Sequence, residues 1–185
     1  MNKSSICCLL LIITFSCAPK LSQSGHYQNL SEVTDFSSQG KYRALGETMP
    51  SEFWLIFDKN EYLERLEEIG EKTGPVIIKD LQIIDVSSPI KSNGKHFQVV
   101  KYSTNLQMDT SKIPGHIIER YKETFGEENI RLDSENNQLF VKNESKMLAV
   151  YEEDLRKWEY MELNLPIVTK VFGLETAMDL EKYVR

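Results

Sequence analysis

Apolar positions along this chain change period several times, and each change marks an element. Over residues 42–57 the spacing is helical, interrupted at Met49-Pro50, with Pro50 suited to a first helical turn and Thr48 to a cap. Asp58 opens a second helix, and Glu61 stands three residues on, the capping-box spacing. Tyr62, Leu63, Leu66 and Ile69 form its apolar stripe; Glu64, Arg65, Glu67 and Glu68 face water, and Gly70 or Gly74 ends it. Residues 76–86 are rich in β-branched side chains and predict a strand, bracketed by Pro75 and Pro89. Ser92-Asn93-Gly94 predicts a tight hairpin turn.

A long strand follows over 96–108. Val100, Tyr102, Leu106 and Met108 make one face apolar, and Lys101, Ser103, Asn105 and Gln107 make the other polar. Phe97 and Val99 break the alternation at its start, which implies a bulge or burial on both faces. Residues 114–125 predict a third helix, with Ile117, Ile118, Tyr121 and Phe125 on one side and Gly126 as its stop. Three short strands are expected at 138–142, 146–151 and 158–163, with turns at Asn136-Asn137 and Asn143-Glu144. A closing helix over 167–184 is cut near Gly173 and carries a weak stripe of Leu174, Ala177, Met178 and Val184. Strands in runs with short connections imply an α+β fold, an antiparallel curved sheet packed on helices, rather than a doubly wound one.

The N-terminus reads differently. Lys3, the apolar run from Ile6 to Phe15 and Ser16 before Cys17 have the layout of a lipoprotein signal, with Thr14 standing where Leu is preferred. The run is too short to span a membrane, which takes about 20 apolar residues. Cleavage would leave residues 1–16 as signal peptide and Cys17 as the lipid acceptor; its thiol and amine can both be acylated, and stable anchoring takes two chains. Residues 17–40 then read as a lipidated cysteine and a polar, flexible tether, with His26 a solvated side chain in it. Residues 41–185 are one domain long. The expected location is a bacterial cell envelope, facing the periplasm or the exterior.

Charge and cysteine use narrow the chemistry. The 185-residue chain has net charge −6, and loss of Lys3 with the signal makes it −7. That sign argues against nucleic acid and against adhesion to anionic lipid by charge alone. Cys7, Cys8 and Cys17 are the three cysteines, so residues 18–185 hold no thiol for nucleophilic, redox or thiolate-metal chemistry.

One resemblance is visible in the motifs. Phe125-Gly126-Glu127-Glu128-Asn129, Lys146-Met147-Leu148-Ala149-Val150-Tyr151 and Lys157-Trp158-Glu159-Tyr160 precede an apolar closing helix; Met49-Pro50 leads into a charged helix and a Gly-Pro strand. In these features the chain resembles a group of uncharacterised bacterial lipoproteins. The resemblance implies a cystatin-like or nuclear transport factor 2-like cone over most of 41–185. It implies no catalytic residue.

Candidate chemistry is sparse. His96 and His116 stand in no zinc spacing; His96 is expected exposed at a strand start and His116 in the first turn of a helix. Neither a Gly-x-Ser-x-Gly elbow, a phosphate loop nor a dinucleotide fingerprint is present. Glu67-Glu68, Glu127-Glu128 and Glu152-Glu153-Asp154 read as solvated, as do Asp80 and Asp85, which nonetheless interrupt an apolar strand where a buried carboxylate could act as a base. Trp54, Tyr102, Tyr151, Trp158 and Tyr160 are the aromatics that could line a pocket or fill the core. Cofactor and metal are expected to be none. The reading that follows is a membrane-tethered, non-catalytic domain that binds a small apolar ligand or an envelope protein. The alternatives are an accessory subunit of an envelope assembly and a small enzyme using a carboxylate and a tyrosine in a cone pocket.

Overall fold

The computed structural model describes residues 20–184 apart from Pro75; the signal-like run and Cys17 lie outside the described residues. Helices α1 (Gln23–Ser38), α2 (Tyr42–Gly46), α3 (Phe53–Ile56) and α4 (Lys59–Thr73) precede strands β1 (Ile77–Val86), β2 (Ile90–Ser92) and β3 (Lys95–Asp109). Then come α5 (Gly115–Phe125), β4 (Ile130–Asp133), β5 (Gln138–Glu152), β6 (Lys157–Glu162), α6 (Leu165–Phe172) and α7 (Leu174–Leu180). The fold is the expected α+β plan, a strongly curled antiparallel half-barrel packed on helices and compatible with a cone.

Two 15-residue strands, β3 and β5, form the middle of the sheet. They pair from His96↔Tyr151 to Asp109↔Gln138. The outer side of β3 is shared by β1 and β2, and that of β5 by β4 and β6. Two register shifts bend β1, and Asp80 at the first has φ 54°. Such bulges increase local twist and bend the strand, as a half-barrel requires. The Asn93-Gly94 turn between β2 and β3 has φ 47° and 80°, the left-handed pair that a tight hairpin needs.

Both faces of the sheet are covered at one end. Phe97, Val99, Leu148, Val150 and Met161 pack with Phe53, Val168, Ala177 and Leu180 from α3, α6 and α7. On the reverse face Val100, Ala149 and Tyr160 meet Leu30 of α1. The broken alternation at Phe97 and Val99 is therefore two-sided burial. Farther along the α1 face, Met108, Leu139 and Val141 are covered by Ile113 and by Ile117, Ile118, Tyr121 and Phe125 of α5.

Several sequence expectations need correction. The supposed tether contains α1: Ser22 caps it by accepting from Gly25 N–H, and His26, Leu30 and Val33 are buried on one side. His26 is 0% exposed rather than solvated. Asn143-Glu144 is not a turn, because β5 runs unbroken through it opposite Thr104 and Ser103. Strand β4 was not expected; it closes the Asn136-Asn137 hairpin with β5. Helix α4 ends at Gly74, φ 74°, and not at Gly70, where a Cβ would stand 2.4 Å from Tyr42 Oη. Thr48 caps no helix start; its hydroxyl donates to Leu45 O at the end of α2. Ile69, Leu174, Met178 and Val184 are exposed, and Thr176 and Leu180 are buried beside Ala177 instead. His96 is buried rather than exposed, with Nδ1 lacking a hydrogen-bond partner. Among the described residues no helix is long and apolar enough to cross a membrane.

Candidate functional site

Strand β6 lies at the sheet edge, and the chain leaving α2 runs along it: Tyr160 N–H donates to Thr48 O at 2.8 Å. Helix α1 lies on one side of this edge, and α3 follows on the other. Between α1, α2 and β6 is a cleft of about 410 Å3. Val33, Phe36, Ala44, Trp158 and Tyr160 supply its apolar lining; Asn29, Glu32, Glu47, Thr48, Lys157 and Glu159 supply the polar one. Its size falls in the range of small-molecule sites, and its lining is about evenly apolar and polar.

A buried polar network lies under the cleft. His26 Nδ1 and Tyr160 Oη are 2.9 Å apart, and Asn29 Nδ2 donates to the same hydroxyl at 3.1 Å. His26 Nε2 lies 3.4 Å from Gln98 Oε1, which also accepts from Leu21 N–H at 2.9 Å. An amide oxygen only accepts, so the proton of neutral His26 belongs on Nε2, and Nδ1 accepts from Tyr160. Each group then has a partner. Burial lowers the His26 pKa, and the Gln98 hydrogen bond only partly opposes it. Burial also pushes the Tyr160 phenol up to about 12, against the smaller lowering by Asn29. Tyr160 is therefore a hydroxyl donor at neutral pH.

This network predicts a pH dependence. The native pKa of His26 lies below its ordinary 6.5, so the unfolded chain takes up the proton first as pH falls. The His26 contribution is complete above 6.5 and declines as pH drops from there towards the depressed native value. Denaturant unfolding between about pH 7.5 and 5.5 is expected to show that decline, and His26→Gln to flatten it. Equal slopes in both proteins would remove His26 as the cause.

The five aromatics do not form one pocket. Tyr151, Trp158 and Tyr160 lie on the α1 face of the sheet; Tyr151 and Trp158 are tilted at 5.3 Å, and Trp158 meets the His26 ring edge-on at 5.7 Å. Tyr102 shares that face but lines a separate apolar pocket of about 200 Å3 with Leu30, Leu81 and Met147. Burial raises the Tyr102 pKa, opposed by a hydrogen bond with Ser145. Trp54 belongs to the opposite face, against Phe53 and Tyr62, and donates to Gly46 O. Asp80 and Asp85 are exposed on β1.

Two charged groups escaped sequence reasoning. Glu159 is 4% exposed, with Oε1 on Lys157 at 2.6 Å and Oε2 buried without a hydrogen-bond partner. The alternation of Trp158 and Tyr160 on one face, which puts Glu159 with buried Met161 on the other, was the available signal. Glu152, read as solvated, forms an ion pair with Lys95 at 2.8 Å, and Lys95 also pairs with Glu52. Burial raises the Glu152 pKa, and the Lys95 hydrogen bond opposes that rise. Among the described residues no three His, Cys, Asp or Glu side chains are grouped to hold a metal ion. Comparison with protein-family models, with curated proteins and with solved structures finds no match to this chain.

Proposed function

We propose that this chain is an exported, lipid-anchored binding domain that acts without catalysis, and that its ligand occupies the cleft between α1, α2 and β6. The observation that carries this reading is the cleft itself: about 410 Å3, walled by Trp158, Tyr160, Phe36 and Val33 and resting on a satisfied His26–Tyr160–Asn29 network. Such a network fixes a wall rigidly, which lowers the cost of ordering it on binding. The curled half-barrel packed on helices accords with the cone type of the resembling lipoproteins.

The anchor would hold the domain close to its membrane. Leu21 is pinned to the sheet, its N–H on Gln98 Oε1. Only Ala18, Pro19 and Lys20 separate it from Cys17. Four residue steps reach at most about 14 Å. With α1 folded, the free tether expected from composition shrinks to this short link, and the domain lies against the lipid headgroups.

Native mass spectrometry of the full chain from its own host tests both parts. The expected spectrum carries acyl mass that Cys17→Ser lacks, because that thiol is the acceptor. It also carries a non-covalent mass that Cys17→Ser keeps and Trp158→Ala loses. Acyl mass on the serine variant would overturn the anchor, and the absence of any non-covalent mass would overturn the binding role. An accessory-subunit role is favoured by one feature, the exposed apolar pair Leu174 and Met178 one turn apart on α7.

A further inference from the structure

We propose that the pocket beside Tyr102 is a second binding site, separate from the cleft, for a compact uncharged molecule with one carbonyl or hydroxyl oxygen on an apolar body. Its walls are α1 and the residues of β1, β3 and β5 that face α1. Tyr102 and Thr104 of β3 stand opposite Ser145 and Asn143 of β5, and Ile78 of β1 stands opposite Leu106. Leu30 and Val33, from the buried side of α1, close the space against the sheet. Leu81, at the first bulge of β1, and Met147 complete an apolar body of about 200 Å3.

The lining selects the ligand. It contains no Asp, Glu, Lys, Arg or His, so a charged molecule would lose its water with no counter-charge in return. An empty apolar void is destabilising, and one of about 150 Å3 already admits benzene, so this volume suits a single ring. Polar recognition is offered by one patch of the wall. Thr104 is 3% exposed, and among the described residues neither its hydroxyl nor the Asn143 amide has a hydrogen-bond partner. The described side-chain atoms that are both sealed and unpartnered are His96 Nδ1 and Glu159 Oε2. The Thr104 hydroxyl therefore meets open space, and in a residue so covered that space is the pocket. Tyr102, two positions along the same face, stays a hydroxyl because burial raises its pKa. A ligand oxygen placed here gives Thr104 and Asn143 the partner they lack, and a buried polar group gains from acquiring one.

Methionine methyl groups read the site directly, since Met147 lines the pocket and Met161 is buried on the opposite face of the sheet. Full chain with labelled methionine methyls, in detergent, is titrated with cyclohexanone, cyclohexanecarboxylate and cyclohexylammonium at measured free concentrations and followed by NMR, with Met147→Leu assigning its signal. Cyclohexanone is expected to shift Met147 saturably and leave Met161 in place. The two charged rings are expected to bind at least about tenfold more weakly. Leu81→Phe fills the space and should abolish the shift, and Leu81 does not line the cleft. If that variant does not unfold cooperatively, Thr104→Val serves instead; it keeps the outline of the side chain without the hydroxyl, and should weaken cyclohexanone by about twofold to tenfold. No saturable Met147 shift, equal binding of either charged ring, a shift that persists in Leu81→Phe or unchanged affinity in Thr104→Val overturns the assignment. The cleft is tested separately, by the non-covalent mass in the native spectrum.

Discussion

A chain cut back to residues 41–185 is expected to lose the cooperative thermal transition that residues 20–185 show. Helix α1 covers Val100, Ala149 and Tyr160 with Leu30, 1% exposed, and Val33, 7% exposed. Burying an aliphatic side chain of this size contributes about 1.5–3 kcal/mol. Removing α1 forfeits both of these and also bares the sheet residues beneath them. It leaves Gln98 and Tyr160 without His26, and an unsatisfied buried polar group costs about 1–3 kcal/mol. The combined loss is comparable to the whole stability of an ordinary domain, about 5–15 kcal/mol. Leu30→Ala alone should cost about 2–5 kcal/mol. Differential scanning calorimetry of the two lengths decides the point. A transition in 41–185 within a few degrees of the longer chain would show α1 to be an appendage.

The second large effect belongs to the opposite face. Phe97 is 0% exposed, pairs with Ile90 and Val150 across its two ladders, and meets Phe172 of α6 edge-on at 5.2 Å. Phe97→Ala should therefore lower the unfolding free energy by about 3–5 kcal/mol, because α6 cannot settle into the void while its ends are held. Leu55 is just as apolar but 82% exposed, and Leu55→Ala should change stability by less than about 0.5 kcal/mol. Urea midpoints at constant slope measure both. A cost below about 1 kcal/mol for Phe97→Ala would mean that α3, α6 and α7 are loosely attached to the sheet.

How much of this was legible depends on how local each signal is. Asp58 accepts from Glu61 N–H at 2.9 Å, as the cap spacing implied. Asn93-Gly94 closes its hairpin, and Gly126 and Gly173 end α5 and α6 with φ 85° and 91°. These are backbone requirements met within a few residues, so the sequence carries them whole. The alternation that put Val100, Tyr102, Leu106 and Met108 on one face also holds in the register of β3 against β5. Period two is a property of any strand, wherever it is packed.

The misreadings have a common cause. His26, Leu30 and Val33 are spaced for one helical side, but a histidine in the first place and polar neighbours all round made the segment look solvated. Its helix is marginal alone and becomes stable when a sheet face needs covering. Likewise Asn143-Glu144-Ser145 has turn composition, yet β3 supplies ladder partners on that stretch and holds it extended. Strand β4 depends in the same way on β5 beside it.

The sequence by itself determined the elements whose ends are set by caps and turns, the sidedness of the strands, the α+β class and the lack of thiol chemistry in residues 18–185. Only the tertiary structure decided that β5 is one strand, that α1 belongs to the fold, and that Trp54 and Trp158 lie on opposite faces. It also decided that Glu159 is buried beside a cleft. Caps, turns and alternation are energies between residues a few positions apart. Burial of His26 is set by partners 72 to 134 positions away, and Glu159 lies on a strand whose edge, at Tyr160, is paired with Thr48 from far earlier in the chain. No local pattern carries those distances, because the chain must close on itself before either side chain meets its surroundings.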